Sequence, residues 1–288
     1  MSGLMKLSVV VPTYNEEQSI DNVLDELKKT LSNIGVPYEI IVVDDGSNDN
    51  TVEIVKRKED IVLVQHPINR GYGAALKTGI RHSNGEFILI MDADGTYPAK
   101  EIPKLLQYKD QYDMVVGARI GERVKITFAR RPAKFLLSKL ANYLMGVKIP
   151  DLNSGMRIFR KKAVERFLHI LPSGFSFTAT ITLVYLSKDY LIKYVPIDYR
   201  QRKGKSKINP IKDTLSFASL IIRTITYFNP LKTFMSVSSV LFATAVAVFA
   251  YSMFILGKVM DTTIAVLVVA SIQVALFGLL ADLVSKGR

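Results

Sequence analysis

Apolar positions follow two rhythms along this chain. Through the first half, short β-branched runs alternate with stretches that repeat at helical spacing; towards the C-terminus the apolar residues become continuous. LSVVVPTY (7–14), YEIIVVDDGS (38–47), IVLVQH (61–66), EFILIMDAD (86–94) and DMVVGAR (113–119) read as strands. Between them, EEQSIDNVLDELKKTLSNI (16–34) places Ile20, Val23, Leu24, Leu27 and Leu31 on one helical face. NTVEIVKRK and GYGAALKTGIRHS predict two further helices. This alternation predicts an α/β fold, a mostly parallel sheet with helices on both faces. In such sheets ligands bind beyond the carboxyl ends of the strands. Pro12-Thr13-Tyr14, Asp44-Asp45-Gly46-Ser47, Asp92-Ala93-Asp94 and Gly117-Ala118-Arg119 all fall there, so polar residues converge on one edge.

The continuous stretches are FMSVSSVLFATAVAVFAYSMFIL (234–256), 23 residues without a charge, and IAVLVVASIQVALFGLLA (264–281), another 18. A membrane crossing takes roughly 20 apolar residues, so the pair predicts a transmembrane hairpin closed by GKVMDTT. A buried helical pair in a soluble domain is the alternative, but core helices rarely stay uncharged for so long. Arg200, Arg202, Lys203, Lys205, Lys207, Lys212, Arg223 and Lys232 precede the hairpin, Lys286 and Arg288 follow it, and the link holds only Lys258 and Asp261. The excess of positive residues on one side predicts both termini, and the large N-terminal part, on the cytoplasmic face of the cell membrane. MSGLMKLSVVVPTYNEE runs directly into a strand and does not read as a signal peptide.

Lys and Arg number 38 against 26 Asp and Glu, a net charge of +12, which points to an anionic partner. From Arg119 to Lys139 seven bases face a single acid, Glu122, and between Lys212 and Phe228 an apolar stripe joins Leu215, Ala218, Ile222 and Ile225. Both stretches predict amphipathic helices at the membrane interface. With no nucleic-acid motif, and with the bases gathered beside the spans, a bilayer rather than nucleic acid is the expected surface. The absence of cysteine excludes disulfides, thiolate catalysis and cysteine-ligated metals.

Two carboxylates one residue apart at a strand end, Asp92 and Asp94, suit a divalent ion that keeps several waters and completes its shell from phosphate oxygens. An Asp-rich turn is the plain alternative. Asp44, at a neighbouring strand end, can accept from a nucleobase N–H. Asn69-Arg70-Gly71-Tyr72-Gly73 opens a helix with two glycines, where backbone can approach an anion.

PTYNE, VVDDGS, NRGYGAALKTG, MDADG and DLNSGMRIF, in this order, resemble the inverting family 2 glycosyltransferases of GT-A (Rossmann-like) fold, over roughly residues 6 to 207. The nearest resemblance is to the dolichyl- and polyprenyl-phosphate sugar synthases. It implies a UDP- or GDP-hexose donor, Mg²⁺ or Mn²⁺, and a dolichyl or polyprenyl phosphate acceptor. It further implies that Pro12, Tyr14, Glu16 and Asp44 line the nucleoside pocket, and that Asp94 and Asp92 meet the metal and diphosphate. Arg119 would face a phosphate, Ser154 and Arg157 would shape the acceptor-phosphate side, and Arg202 and Lys207 would clamp donor phosphates. Mannose synthases of the group commonly carry Gln or His where this chain has Thr96, and MDADG is closer to the glucose synthases.

A phosphate monoester, with a second pKa of about 6, arrives ionised and needs no general base. His66, His82 and His169 are therefore expected to be structural or surface residues. The resulting architecture is a catalytic domain over 1–207, a juxtamembrane segment over 208–232, two spans within 233–283 and a basic tail over 284–288. Ala243, Ala247 and Ala250 along one span suit an oligomer through the hairpin. A chain-elongating polysaccharide synthase is disfavoured, since its Gln-x-x-Arg-Trp motif needs a tryptophan and none is present. A transferase to a hydroxyl-bearing lipid and a non-catalytic nucleotide-sugar-binding subunit are the remaining alternatives.

Overall fold

Strand β1, Leu7–Thr13, is buried at every position, which places it inside a sheet covered on both faces. In the computed structural model, which describes residues 6–119, 139, 142–143, 145–200, 219, 222, 226 and 229–286, it pairs in parallel with β2 (Tyr38–Asp44) and with β4 (Phe87–Ile90). β3 (Ile61–Gln65) extends the sheet beyond β2, again in parallel. On the other side lie β5 (Met114–Ala118), β6 (Arg157–Arg160) and β7 (Ile192–Pro196), and the full order is β3-β2-β1-β4-β6-β5-β7. Only β6 is reversed: it runs antiparallel to both β4 and β5, while β7 pairs with β5 in parallel. The carboxyl ends of the six parallel strands thus share one edge with the start of β6, where Arg157 stands opposite Ile90 and Val116.

The pleat sends alternate residues to opposite faces. Leu7, Val9 and Val11 pack under helix α1 (Ile20–Ile34) through Ile20, Val23, Leu24, Leu27 and Leu31. Val10, Ile88 and Ile90 turn to the other face, against α3 (Tyr72–His82) and α6 (Phe177–Ser187). Between these elements come the short helices α2 (Thr51–Lys56), α4 (Ile102–Leu106) and α5 (Lys161–Glu165).

Two predicted boundaries shift for identifiable reasons. The helix expected from residue 16 starts at Ile20, because the main chain at Glu16 and Glu17 is held away by Thr51 Oγ1 and Asp49 Oδ2. The strand expected to reach Asp94 ends at Ile90, because Asp94 folds back on its own backbone to accept from Thr96 N–H. The pattern also left α6 unassigned. FTATITLVYLS is buried on all sides from Phe177 to Tyr185 and so has no amphipathic period to detect.

Helices α7 (Pro230–Phe254) and α8 (Asp261–Lys286) pack side by side, with Ser238 Oγ donating to Ser271 O across their interface at 2.8 Å. A Cβ on Gly278 would meet Phe234, so the helices touch where that residue is small. Both are long and apolar enough to cross a membrane, and little of either is covered by protein. The predicted interfacial stretches, apart from a few positions, lie outside the described residues.

Candidate active site

The carboxyl edge is laced together by side chains bonding to backbone. After β1, Asn15 takes a left-handed conformation (φ 52°), receives Asn48 N–H on its Oδ1 and donates its own N–H to Ser47 Oγ. Pro12 is buried at the end of β1, while Tyr14 and Glu16 are half-buried beyond it. Glu16 Oε2 accepts from Ser19 Oγ at 3.0 Å, so part of its capacity goes to the start of α1. Asp44 is 2% exposed; its Oδ2 accepts from Ser47 N–H, and its Oδ1 is buried without a hydrogen-bond partner. Buried oxygens are rarely left this way, so Asp44 keeps capacity for a ligand donor.

Asp45, next in sequence, does something different. Its Oδ1 and Oδ2 accept from the Arg70 and Gly71 N–H groups at 2.9 and 2.7 Å, and Oδ1 lies 2.7 Å from His66 Nδ1. Asp45 therefore fixes the loop that begins α3, and His66, expected to be structural, is part of that anchor. Gly71, at φ 102°, and Gly73 both lie against the backbone of Pro172–Gly174, where a side chain would collide.

Asp92 and Asp94 stand at the end of β4, both half-buried. Tyr72 Oη donates to Asp92 Oδ1 at 2.7 Å, and Gly155 lies so close behind the Asp92 carboxyl that a Cβ there would overlap it. Burial, and then the neighbouring charge of Asp94, raise the Asp92 carboxyl to about 6; Tyr72, Arg119 and Arg157 oppose the rise. Asp94 Oδ1 accepts from both the backbone and the hydroxyl of Thr96, at 3.1 and 2.6 Å. Thr96 is fully buried and orients Asp94, so it offers no third metal ligand. Among the described residues no group of three or more acidic, His or Cys side chains could hold a metal. The pair nevertheless fits a hard divalent ion that takes its remaining oxygens from a diphosphate and water.

Three expected phosphate-side residues are tied into the fold by their own hydrogen bonds. Arg119 is engaged by Asp151: Nε and Nη2 donate to Oδ2 and Oδ1 at 2.7 and 2.8 Å, and its guanidinium lies over the Tyr199 ring. Burial works against the Asp151 charge, but Arg119 and the surrounding N–H donors hold it below the usual carboxylate range. Ser154 and Arg157 are both fully buried, so any part they take in an acceptor side is from beneath it. Ser154 Oγ donates to Gly117 O. Arg157 spends its donors on Ser154 O, Thr178 O and Thr182 Oγ1. Together they hold the turn that carries Gly155 against Asp92, a supporting role beneath the edge. Arg202 and Lys207 lie outside the described residues.

The glycosyl transferase family 2 model matches residues 8–168 of this chain, a span that holds every one of these carboxylates. The chain belongs to glycosyl transferase family 2. A second model, the GtrB C-terminal hairpin, matches residues 229–286 of the glycosyltransferase, the helices α7 and α8. Among curated proteins it is 32% identical over 220 residues to a dolichyl-phosphate hexose transferase of Haloferax volcanii, covering 75% of this chain and 92% of that one. It is 33% identical to the low-salt glycan biosynthesis hexosyltransferase Agl6 of the same organism, over 72% of this chain but about half, 51%, of the relative. Glucosyl-3-phosphoglycerate synthase from Mycobacterium tuberculosis, solved with Mn²⁺, UDP-glucose and phosphoglyceric acid, shares its fold. The TM-score is 0.59 at 21% identity, over 77% of this chain and 80% of that one.

For a family 2 glycosyltransferase, the sequence motifs identified the carboxylates but missed their supports. Tyr72, Thr96, Tyr97, Asp151 and Gly155 each touch a candidate residue or the turn behind it; Tyr97 Oη accepts from Gly155 N–H at 2.7 Å. The one readable signal was positional, since all five sit inside or beside the motifs NRGYG, DADGTYP and DLNSG.

Proposed function

We propose that this protein is a membrane-tethered, inverting hexosyltransferase that moves a sugar from a UDP- or GDP-hexose to a polyprenyl phosphate. The observation that carries the reading is the Asp92–Asp94 pair at the carboxyl edge of a family 2 domain whose chain continues into an apolar helical hairpin. The relationship to a dolichyl-phosphate hexose transferase over nearly all of that relative's length supports the acceptor class.

Each reactant has a group to meet it. The free oxygen of Asp44 accepts a nucleobase N–H, and Pro12 and Tyr14 stand beside it. Asp94, oriented by Thr96, and Asp92, held by Tyr72, present oxygens to Mg²⁺ or Mn²⁺ on the diphosphate. When bound, the ion neutralises charge on the departing nucleoside diphosphate. The acceptor phosphate is already ionised at neutral pH and attacks the anomeric carbon directly, so no side chain has to take a proton. The protein's task is to align two anions and offset their repulsion. The hairpin keeps the domain at the bilayer that holds the acceptor, on the cytoplasmic side by the distribution of Lys and Arg.

Membranes carrying the full chain, incubated with labelled UDP- and GDP-sugars and with either a polyprenyl phosphate or the matching polyprenol, test the reading. Labelled lipid is expected with the phosphate and not the alcohol, and lost with chelator. Transfer to the alcohol, or label only in water-soluble products, overturns it.

A further inference from the structure

An ionised lipid phosphate needs a cation at the carboxyl edge, and the described cations there are largely spoken for. Arg119 is forked onto Asp151, Arg157 has no exposed surface, and Arg200 pairs with Glu26 at 2.7 Å. Arg70 differs: its side chain is exposed and forms no ion pair among the described residues. Its backbone is nevertheless fixed, because Asp45 accepts from the N–H groups of Arg70 and Gly71.

Phe175 is exposed over 66% of its surface. It is not loose. Its ring stacks on Tyr72 with centroids 5.7 Å apart and planes 13° from parallel, and Tyr72 is the residue whose hydroxyl reaches Asp92. The preceding Ser173 accepts from Ala74 N–H at 2.9 Å, tying that loop to the first turn of α3. An exposed cation two residues before Tyr72 and an exposed ring stacked on it therefore neighbour the residue that reaches Asp92.

Resting on the acceptor class given above, we propose that Arg70 and Phe175 form the docking pair for a prenyl phosphate. Arg70 takes the phosphate charge, with the bidentate geometry a guanidinium offers. Phe175 covers the isoprene unit next to the phosphate. Of the reactants, the nucleoside lies towards Asp44 and the hexose is hydroxylated; the prenyl chain is the one that suits an exposed phenyl ring with no polar handle.

The test uses the full chain in detergent micelles with nucleotide sugar and either a long polyprenyl phosphate or geranyl phosphate. Arg70→Gln and Phe175→Ala should each raise KM for both acceptors by about tenfold, with KM for the nucleotide sugar unchanged. Arg70→Lys should recover part of the loss, and Phe175→Leu most of it. Because both side chains are exposed, the melting temperature should stay at the wild-type value, which separates docking from folding. The proposal is overturned if KM for the nucleotide sugar moves instead. It is equally overturned if neither acceptor KM changes, or if the Phe175→Ala penalty vanishes with geranyl phosphate. A wild-type protein that glycosylates no lipid phosphate fails the broader reading; a wild type that does so beside indifferent variants fails this one alone.

Discussion

Tyr72 Oη donates a 2.7 Å hydrogen bond to Asp92 Oδ1, joining the first residue of α3 to the first acidic residue after β4. Tyr72→Phe removes that donor and keeps the ring stacked on Phe175. The carboxyl then loses a bond worth about 1–2 kcal/mol. Sugar transfer should fall roughly tenfold, and the melting temperature should drop by about a few degrees. Steady-state rates beside thermal melts check this, and an unchanged rate would show that Asp92 does not depend on the bond.

Asp94→Ala should abolish transfer, and chelation of the wild type should do the same. Thr96→Val, which removes the hydroxyl donor to Asp94 and keeps the backbone one, should raise the metal concentration for half-maximal rate several-fold. A metal titration of each variant distinguishes the two roles. Residual transfer by Asp94→Ala at the wild-type rate would remove Asp94 from the metal site.

Asp92 supplies a test through pH. Its carboxyl is raised to about 6 in the fold, first by burial and then by Asp94, against about 3.9 for an unfolded Asp. The folded protein therefore holds this proton more tightly than the unfolded chain does. That contribution to stability is complete below about pH 4 and is lost as pH rises through about 6. Asp92→Asn does not ionise, so in chelator at pH 8 it should melt above the wild type, and the gap should close near pH 4. The same variant should be inactive. A variant less stable than the wild type at pH 8 contradicts the assignment.

Asp151→Asn breaks the pair with Arg119 and leaves a largely buried guanidinium without its carboxylate. Removing one partner of such a pair costs about 3 kcal/mol or more. A lowered denaturation midpoint should appear along with slower transfer, because Arg119 lies over Tyr199 and Tyr199 packs on Tyr97. If only the rate falls, the pair acts on substrate rather than on the fold.

Part of the sheet edge was legible because β2, β4 and β5 announce their own ends, a β-branched run stopping at Asp44, at Met91-Asp92 or at Arg119, whereas β6 and β7 were not assigned from the pattern. Local chemistry of that kind survives in a linear pattern. What did not survive was pairing at a distance. Arg119 reads as a free phosphate ligand until Asp151, 32 positions later, is found in its fork. Arg157 reads, by resemblance, as an acceptor-side residue in DLNSGMRIF, yet its register against Ile90 and Val116 puts it between two interior strands, where its hydrogen bonds go to neutral acceptors. Thr96 looked like a substitution for a metal ligand, and its hydroxyl is committed to the aspartate two residues earlier.

Because β6 runs against its neighbours, the chain leaves the sheet at Ala118 and re-enters it at Arg157 on the same edge. Asp151, Ser154 and Gly155, which brace Arg119, Gly117 and Asp92, lie just before that re-entry. A reversed strand thus returns the chain to the edge it left, and the residues that brace the carboxylate pair are carried in at that return.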